Sequence, residues 1–527
     1  MAAPIRAWIY PPALGAGNEL THSSNRQWTD EYNGTGTGQL RIPATSPNLA
    51  HVDYDCVVTM QYEGEDAFSW IVENIRRMPV GEAGERFVEL SGRGCLAWLE
   101  DAPVLPNGGV QPKSKDVRYF SFASLDAGDH DLGISWTVPV GIKWDLRDGP
   151  AAGLPLDWPD IDAYWIWSSD PTEDRPDGEV NWFRYEFTTS EDFNTRLFCT
   201  ADNGADVYID GEQVLSFYAE SGAWKETHSV EVTLPAGYHV VAIKGTNSSF
   251  PVTTNAASVI LSMVSLTPEG DPDALLVHTD ELWQCSDTEP QWLAGDILYT
   301  LIDEAVTLGI GPGLANLTIG FDGELDSNGD PWTLRMPPKD WPIVTTNLLA
   351  VALDLAEVGL DVWVSPDDLV LHVTESRGQV RSVALTDDDT VTGWVVDGKR
   401  ATATEAYVRT DAGWVHVEDT AAVAAHGRRV IGLEAGNTDS ATTAESIAQT
   451  AFHQGAQPEE VVSETRLNPA PGKLAYQDYF VADTVTGLDA FGDPAPCRIL
   501  ALTVVEVDDA GKVEYQPELE VLPGDAS

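Results

Sequence analysis

The chain contains few of the residues from which disulfide frameworks, metal centres and basic surfaces are built. It has 527 residues, of which 5 are cysteine, 10 are histidine and 30 are lysine or arginine. The cysteines lie far apart and form no CxxC pair, so neither a disulfide framework nor a zinc cluster is expected. We predict buried free thiols at all of these positions: Cys56, Cys95, Cys199, Cys285 and Cys497.

Positive charge is scarce relative to negative charge. The chain has 84 aspartate and glutamate residues, and its formal net charge is −54. A field of that sign repels nucleic acid and anionic membrane surfaces, so no specific nucleic-acid binding is expected. The excess of acid is consistent with a solvated surface or with a high-salt environment, and the sequence leaves both open.

Long apolar segments are missing as well. No apolar run reaches the ~18 residues that a membrane helix requires. The first residues, "MAAPIRAWIYPPALG", lack the charged start and the apolar core of a signal peptide. We therefore expect synthesis in a host cytoplasm, without Sec-type export and without a membrane span.

Known catalytic motifs are absent from the sequence. It contains no GxSxG, HExxH, GxxxxGK[ST] or GxGxxG segment. The histidines show no HxH or HxxxH spacing suited to a metal ion. We predict that the protein is not an enzyme and that it has no catalytic residues, no cofactor and no metal site.

The residue pattern is typical of a mainly β protein with a few helices. Short β-branched and aromatic runs alternate with Gly, Pro, Asn and Asp. Apolar residues at three-to-four spacing predict helices from about Leu293 to Ala305, from about Thr346 to Val358, and near 441–454. We predict these segments: 1–115, a β-barrel-like domain; 116–160, a linker; 161–268, a β-sandwich; 269–390, an α+β domain; and 391–527, a second β-barrel-like domain.

The segment 161–268 has the features of an inserted β-sandwich. Its strands recur every eight to twelve residues, and Asp210-Gly211 predicts a type I′ hairpin. The strings "TADNGADVYIDGEQV" and "VTLPAGYHVVAIKGTNSS" resemble jelly-roll carbohydrate-binding modules of the galactose-binding-like and protective-antigen-type families. The resemblance implies glycan contacts, for which we name Asp202, Asn203, Tyr218, Trp224 and Asn247, with Trp224 as an exposed platform and Trp182 in the core.

The acidic residues of "LFCTADNGADVYIDGEQVL" allow several interpretations. Counted from Asp202, Gly204 stands where a calcium loop needs an oxygen ligand, so that motif fails. Asp202 and Asp206 could reach the ~5–9 Å that separates a glycosidase pair, but so could any two surface aspartates. Turn formation is the favoured interpretation, ahead of a sugar or ion contact and of catalysis. The other acidic run, "DGELDSNGDPW", is predicted to be a turn.

The N-terminal region contains "RFVELSGRGCLAWLEDAPVL", and the C-terminal region contains the helix that stops at Gly359, the hairpin "LDVWVSPDDLVLHV" and the closing strands. In the order of these elements, residues 1 to about 110 and about 280 to 520 resemble the tail-tip or baseplate hub proteins of long-tailed viruses. One departure is Ala482, where the family has a glycine before Asp-x-Val. The resemblance implies a structural protein at the virion tail tip that ends the tail tube.

That resemblance also implies partners. They are other copies of the chain in a homo-oligomer, commonly a trimer, and the tail tube, distal tail, tape-measure and fibre proteins. The sandwich would project and contact a host-surface glycan. The alternative is a secreted glycan-binding or glycan-hydrolysing protein with an accessory jelly roll, although residues 270–390 have too few helices for a catalytic barrel. A cell-surface adhesin would need an export signal.

Overall fold

A computed structural model describes most of the chain, and its described residues divide into two compact units. The first comprises Met1–Val104, Ala294–Leu334 and Val344–Ser527, and the second comprises Leu105–Leu293 and Arg335–Ile343. Both are built mainly from β-strands, as predicted. The described residues are 5–77, 86–106, 117–142, 158, 162–170, 175–176, 178–219, 224, 226–247, 257–266, 275–386, 391–392, 395–399, 401–410, 413–435, 444, 447–449, 451–452, 459–463, 465–470, 472–489, 491–507 and 512–522.

The first unit contains two sheets that share one core. The smaller sheet is antiparallel and has the order Asn18–Glu19, Ile5–Tyr10, Val57–Tyr62, Glu65–Ile71. The larger sheet combines strands from both ends of the chain: Ser24–Glu31, Thr37–Pro43, Asn74–Arg77, Phe87–Arg93, Val380–Ala384, Val391–Thr392, Val395–Lys399, Glu459–Ser463, Arg466–Leu467, Thr484–Leu488, Pro494–Glu506 and Val513–Val521.

One pairing joins the N-terminal and C-terminal strands of this core. Ser24–Glu31 pairs antiparallel with Pro494–Glu506, with Trp28 opposite Val504. The apolar residues of both strands pack together with those of the smaller sheet. Strands of the predicted segments 1–115 and 391–527 therefore line a common core. Each strand alternates in polarity, and its apolar face is buried against the apolar faces of the others.

Smaller elements complete the first unit. The strands Thr318–Ile319, Asp361–Val364 and Val370–Thr374 form one sheet, and Glu405–Thr410, Gly413–Glu418 and Val430–Glu434 form another. The described α-helices include Ala294–Thr307, Leu348–Ala356 and Thr420–His426, and short 3-10 helices cover Pro47–His51, Cys95–Asp101 and Leu314–Asn316.

The first two predicted helices agree with the observed bounds to within about two residues. Ala294–Thr307 buries the apolar face identified from spacing, and Leu348–Ala356 starts behind Asn347, whose side chain accepts the Ala350 N–H. Residues 441–443, 445–446, 450 and 453–454 of the third prediction lie outside the described residues. Its described positions are helical, and Ala444 and Ala448 are buried as their shared face requires.

Ala482 has an unusual backbone conformation. Ala482 adopts a φ of +77°, and Gly378, at φ +85°, lies against it. A Cβ on Gly378 would lie 2.2 Å from the Ala482 carbonyl oxygen. The close approach of the two segments therefore depends on the glycine at 378, which precedes the strand Val380–Ala384, and not on a glycine at 482.

Gly378→Ala is expected to destabilise the first unit by about 2–3 kcal/mol. A side chain at positive φ costs ~1–2 kcal/mol, and the contact with the carbonyl forces the backbone to move. The matched control is Gly472→Ala, since Gly472 has φ +79° but open space around its Cβ position. Denaturant unfolding should show the smaller loss for the control, and equal losses would contradict the close approach.

The second unit contains a two-sheet β-sandwich. Apolar residues on the inner faces of both sheets form one core, which includes Phe183, Leu197, Val207, Ile243 and Val259. One sheet contains Val140–Ile142, Trp165–Trp167, Phe193–Asp202, His228–Leu234, Ser258–Ser265 and Leu275–His278; the other contains Val180–Thr189, Gly204–Ile209, Glu212–Tyr218, Gly237–Thr246 and Gln284–Ser286. The sandwich thus takes strands from beyond 161–268.

Further short elements belong to the second unit. Val117–Phe120 pairs with Lys339–Pro342, and Trp292–Leu293 pairs with Arg335–Met336. A 3-10 helix covers Ala127–Asp129.

The cysteines and the acidic run have the structure predicted from the sequence. All of the cysteines are buried and free. In the run "DGELDSNGDPW" the Asp326 carboxylate accepts the backbone N–H groups of Asn328 and Asp330, which makes it a turn residue. None of the described helices is both long and apolar enough to cross a membrane.

Candidate functional site

The hairpin at Asp210-Gly211 has the predicted geometry. Gly204–Ile209 and Glu212–Tyr218 pair antiparallel, and the turn residues have φ values of +52° and +87°. Positive φ at both positions is the requirement of a type I′ turn. Local turn chemistry therefore explains Asp210 and Gly211, whereas Asp202 and Asp206, for which turn formation was the favoured interpretation, lie in strands.

The side chain of Asp210 has a structural role. Its carboxylate accepts the Val240 N–H at 2.9 Å and lies 2.8 Å from Nδ1 of the buried His239. The other ring nitrogen of His239 lies 2.8 Å from the Pro235 carbonyl oxygen. Both ring nitrogens of His239 therefore lie within hydrogen-bond distance of an oxygen atom. Asp210 and His239 thus connect the hairpin to the adjacent strand.

Asp202 and Asp206 belong to different sheets of the sandwich. Asp206 is buried, accepts a hydrogen bond from Ser216 at 2.7 Å and lies 3.8 Å from the Lys244 ammonium group. Asp202 ends the strand Phe193–Asp202 and pairs with Ser258. The partners of Asp206 are therefore those of a structural carboxylate.

Three of the predicted glycan contacts meet at one end of a sandwich sheet. The Asn203 N–H donates to the Thr246 carbonyl, which immediately precedes Asn247, and the Asn203 carbonyl accepts the N–H of Ala219, the neighbour of Tyr218. Tyr218 is 55% exposed, whereas Asn203 and Asn247 are buried. The strand ends therefore bring an exposed tyrosine and two buried asparagines to the same end of the sheet.

Trp224 lies against the other sheet. It is partly buried and packs on a small cluster with Trp158, Trp165, Phe198 and Ile260. Side chains alternate along a strand, so Phe198 and Asp202 share the outer face of their sheet. Trp224 and Asp202 therefore lie on this outer face. Trp182 is buried, as predicted.

Buried oxygen atoms without donors lie beside Asn247. Its Nδ2 donates to the Pro176 carbonyl at 2.9 Å, and its N–H donates to the Glu179 carbonyl at 2.8 Å. Within the described part of the chain, no donor reaches Oδ1 of Asn247, Oδ1 of Asn181 or Oε2 of Glu179. Buried acceptors are nearly always satisfied, so these oxygen atoms are exceptions within the described part of the chain.

Sequence reasoning missed Glu179 and Asn181. They lie at the start of the strand Val180–Thr189, whose pairing with Gly237–Thr246 brings them next to Asn247. No motif marks them, because the relation is one of register between strands about 65 residues apart. Among the described residues, no group of three or more His, Cys, Asp or Glu side chains could hold a metal ion.

Burial raises the pKa of the Asp202 carboxyl from its ordinary value of 3.8 to about 6. The folded protein then binds more protons than the unfolded chain between these values, so this group lowers stability as pH rises from about 4 to 6. Asp202→Asn is expected to stabilise the second unit at pH 7 relative to wild type, and not at pH 4. The upper bound is about 3 kcal/mol, which solvent screening reduces to ~1–2 kcal/mol.

Thermal unfolding at both pH values measures this difference. Glu281→Gln, which changes an exposed carboxylate of the same unit, is the control. A difference between Asp202→Asn and wild type that is the same at pH 4 and pH 7 would show that Asp202 does not titrate in this range.

Comparison with known proteins finds a protein family that the N-terminal segment resembles. Residues 6–122 match the family model described as Siphovirus ReqiPepy6 Gp37-like protein. This part of the chain is therefore similar to a family of siphovirus proteins. No curated protein sequence matches the chain.

Several solved structures also show similarity. A 43 kDa tail protein of prophage MuSo2 from Shewanella oneidensis has 10% identity and a TM-score of 0.44, with 98% of this chain and 97% of that chain covered. A tail protein from Neisseria meningitidis MC58 has 8% identity and a TM-score of 0.42, with 98% and 96% covered. A lectin from Pleurotus ostreatus has 17% identity and a TM-score of 0.20, with 28% and 39% covered. At TM-scores below 0.5 these similarities carry no conclusion about this chain.

Proposed function

We propose that the protein is a structural component of a siphovirus-like tail and forms the tail-tip or baseplate hub that ends the tail tube. The observation that carries the proposal is the match of residues 6–122 to a siphovirus protein family. That segment supplies the smaller sheet of the first unit and part of the larger one.

The architecture supports a structural role for the first unit. Strands from both ends of the chain close one core, and such cross-connected β-sheets are suited to a rigid part of an assembly. The hub would be a homo-oligomer, most simply a trimer, in contact with tail-tube, distal-tail, tape-measure and fibre proteins. A ring of chains that each carry a charge of −54 repels DNA phosphates, so DNA in transit would not adhere to it.

The sandwich would serve host attachment through a glycan. The support is the surface at the end of its sheet, where Tyr218 is exposed beside Asn203 and Asn247. Aromatic rings stack on the apolar faces of sugars, and Tyr218 presents such a ring at the surface. Asp202 and Trp224, on the adjacent outer face, would extend the contact.

The hub proposal is tested by the mass of the assembled protein. Native mass spectrometry and light scattering of the full chain, alone and co-expressed with neighbouring tail proteins, should give three copies of 57.1 kDa. A monomer at micromolar concentration under both conditions would contradict the hub role.

The glycan proposal is tested separately on a glycan array. Wild type should bind a defined set of sugars, and Asn247→Ala and Tyr218→Ala should weaken binding by roughly tenfold, as expected for loss of ~1.4 kcal/mol. Trp414→Ala, an exposed tryptophan of the first unit, is the control. If the wild type binds no glycan, the sandwich has another role, and the hub proposal is unaffected.

A further inference from the structure

The strand Asn74–Arg77 forms one end of the large sheet in the first unit. It pairs with Phe87–Arg93 on one side, and no described strand pairs with its other side. Asn74, Arg76 and Arg77 are exposed. An open edge of this kind presents unpaired backbone groups, which readily contact another chain. This strand is therefore a candidate surface for a contact between proteins.

The arginines of this edge are not neutralised by the part of the chain that the structure describes. Glu89 stands opposite Arg76 in the register of the two strands, but it pairs with Arg41 at 3.0 Å. No acidic side chain of a described residue forms an ion pair with Arg76 or Arg77. The chain as a whole has a net charge of −54. The edge thus exposes two positive charges on a strongly acidic protein.

A hairpin turn of the same unit has the opposite charge. Val57–Tyr62 and Glu65–Ile71 are joined at Glu63 and Gly64, whose φ values are +52° and +99°. Positive φ at both positions is typical of a type I′ turn. Glu63 and Glu65 are exposed, and neither forms an ion pair with a basic residue among those described. The turn therefore presents two carboxylates on a well-defined backbone.

The acidic turn and the basic edge lie far apart within one copy. The strand Glu65–Ile71, which starts at the turn, has seven residues and spans about 23 Å. Beyond it the chain continues in the same direction along Phe87–Arg93, because Trp70 pairs with Gly94 and Arg77 pairs with Val88. The opposite charges can therefore meet only between two copies.

The signs of the charges determine which contact between copies is favourable. Two copies that paired through the same edge, as in a two-fold dimer, would place Arg76 and Arg77 against the same residues of the partner. A contact between the edge of one copy and the turn of the next copy joins unlike charges. Such a contact uses two different surfaces of each copy, and it repeats head to tail until a ring closes.

We propose that the edge Asn74–Arg77 of one copy receives the turn that carries Glu63 and Glu65 of a neighbouring copy. The inference rests on the proposed hub, because it names the contact that orders the copies of that hub. Complementary charges determine the orientation and the choice of a partner more than they determine affinity. The contact therefore favours a ring over a two-fold dimer.

The test reverses the charges on each side of the contact. One variant carries Arg76→Glu and Arg77→Glu, and another carries Glu63→Arg and Glu65→Arg. Each should raise the dissociation constant of the assembly about tenfold or more, since like charges then face each other. A variant with all four substitutions again has unlike charges on the two surfaces, and it should assemble within about threefold of the wild type. Native mass spectrometry and light scattering of the full chain over a dilution series measure these constants.

The matched control is Arg409→Glu with Arg466→Glu. Both arginines belong to the first unit, and their side chains are 65% and 64% exposed. The two substitutions change the net charge by the same amount as Arg76→Glu with Arg77→Glu. The control should assemble within about twofold of the wild type, because neither substitution touches the edge or the turn.

Any of three results overturns the proposal. If both reversed variants assemble as tightly as the control, the copies are joined elsewhere and the hub proposal stands. If the variant with all four substitutions assembles as weakly as the variants reversed on one side, the two surfaces do not meet. If the wild type stays monomeric, alone and with neighbouring tail proteins, both the hub and this contact are contradicted.

Discussion

Arg184→Met is expected to lower the stability of the second unit by about 3–5 kcal/mol. Arg184 is fully buried, and its Nη1 donates to the carbonyls of Phe122 and Ser124 at 3.0 and 2.7 Å. Its Nη2 pairs with Glu186 at 2.9 Å. Removing the guanidinium leaves these carbonyl oxygens without their donor, and breaking a buried charged network costs ~3–5 kcal/mol.

The physical reason is the position of Arg184 in the sandwich. On its strand Phe183 and Tyr185 face the core, so Arg184 points to the opposite face of the sheet, where it holds the segment that contains Phe122 and Ser124. Methionine has a similar length and hydrophobic stem, which keeps the loss of packing small. The measured difference therefore reports mainly the polar contacts.

Arg196→Met is the matched control for this prediction. Arg196 belongs to the same unit but forms an exposed ion pair with Glu231, and such pairs contribute ~0–1 kcal/mol. Calorimetry should show a fall of roughly 10 °C in the transition of the second unit for Arg184→Met, since 1 kcal/mol corresponds to ~2–4 °C at this size. Equal effects of the two substitutions would mean that the buried network does not hold the outer segment.

Trp28→Ala is expected to destabilise the first unit by a similar amount, about 3–5 kcal/mol. The Trp28 ring is fully buried between the sheets, and its indole N–H donates to the Tyr476 hydroxyl at 3.0 Å. The substitution creates a large cavity and removes the donor to a buried oxygen. Trp28 is near the start of the chain and Tyr476 is near its end. The substitution therefore weakens the packing between the N-terminal and C-terminal regions.

Trp414→Ala is the control, because the same side chain is removed from a position that is 63% exposed. It should change the free energy of unfolding by less than about 0.5 kcal/mol. A double-mutant cycle of Trp28→Phe and Tyr476→Phe would isolate the hydrogen bond, for which ~1 kcal/mol is expected. If Trp28→Ala lowers the free energy of unfolding no more than Trp414→Ala does, the shared core is contradicted.

Local features of the fold could be predicted from the sequence, whereas long-range ones could not. The Asp210-Gly211 turn and the helix Ala294–Thr307 depend on neighbouring residues, and the pattern identified both. The pairing of Ser24–Glu31 with Pro494–Glu506 depends on residues more than 400 positions apart. Alternating polarity shows that each strand has a buried face but does not identify the partner strand.

The same limit applies to the site. Asp202, Asn203 and Asn247 were predicted as glycan contacts because they occur in segments that resemble known binding modules, and that role stays a prediction. Glu179 and Asn181 were not identified, since only the strand register brings them beside Asn247. The role of Asp210 was also hidden, because its partner His239 is on another strand and shows no spacing motif.

The pairing of Ser24–Glu31 with Pro494–Glu506 has a consequence during protein synthesis. At ~5–20 residues per second, the first strand waits on the order of 20–100 s before its neighbour leaves the ribosome. Most of the second unit lies within Leu105–Leu293 and is complete much earlier. The sandwich can therefore fold while translation continues, whereas the N-terminal strands keep an open edge that is prone to wrong pairing until the last strands arrive. Folding of the two units is thus separated in time by the order of the chain itself.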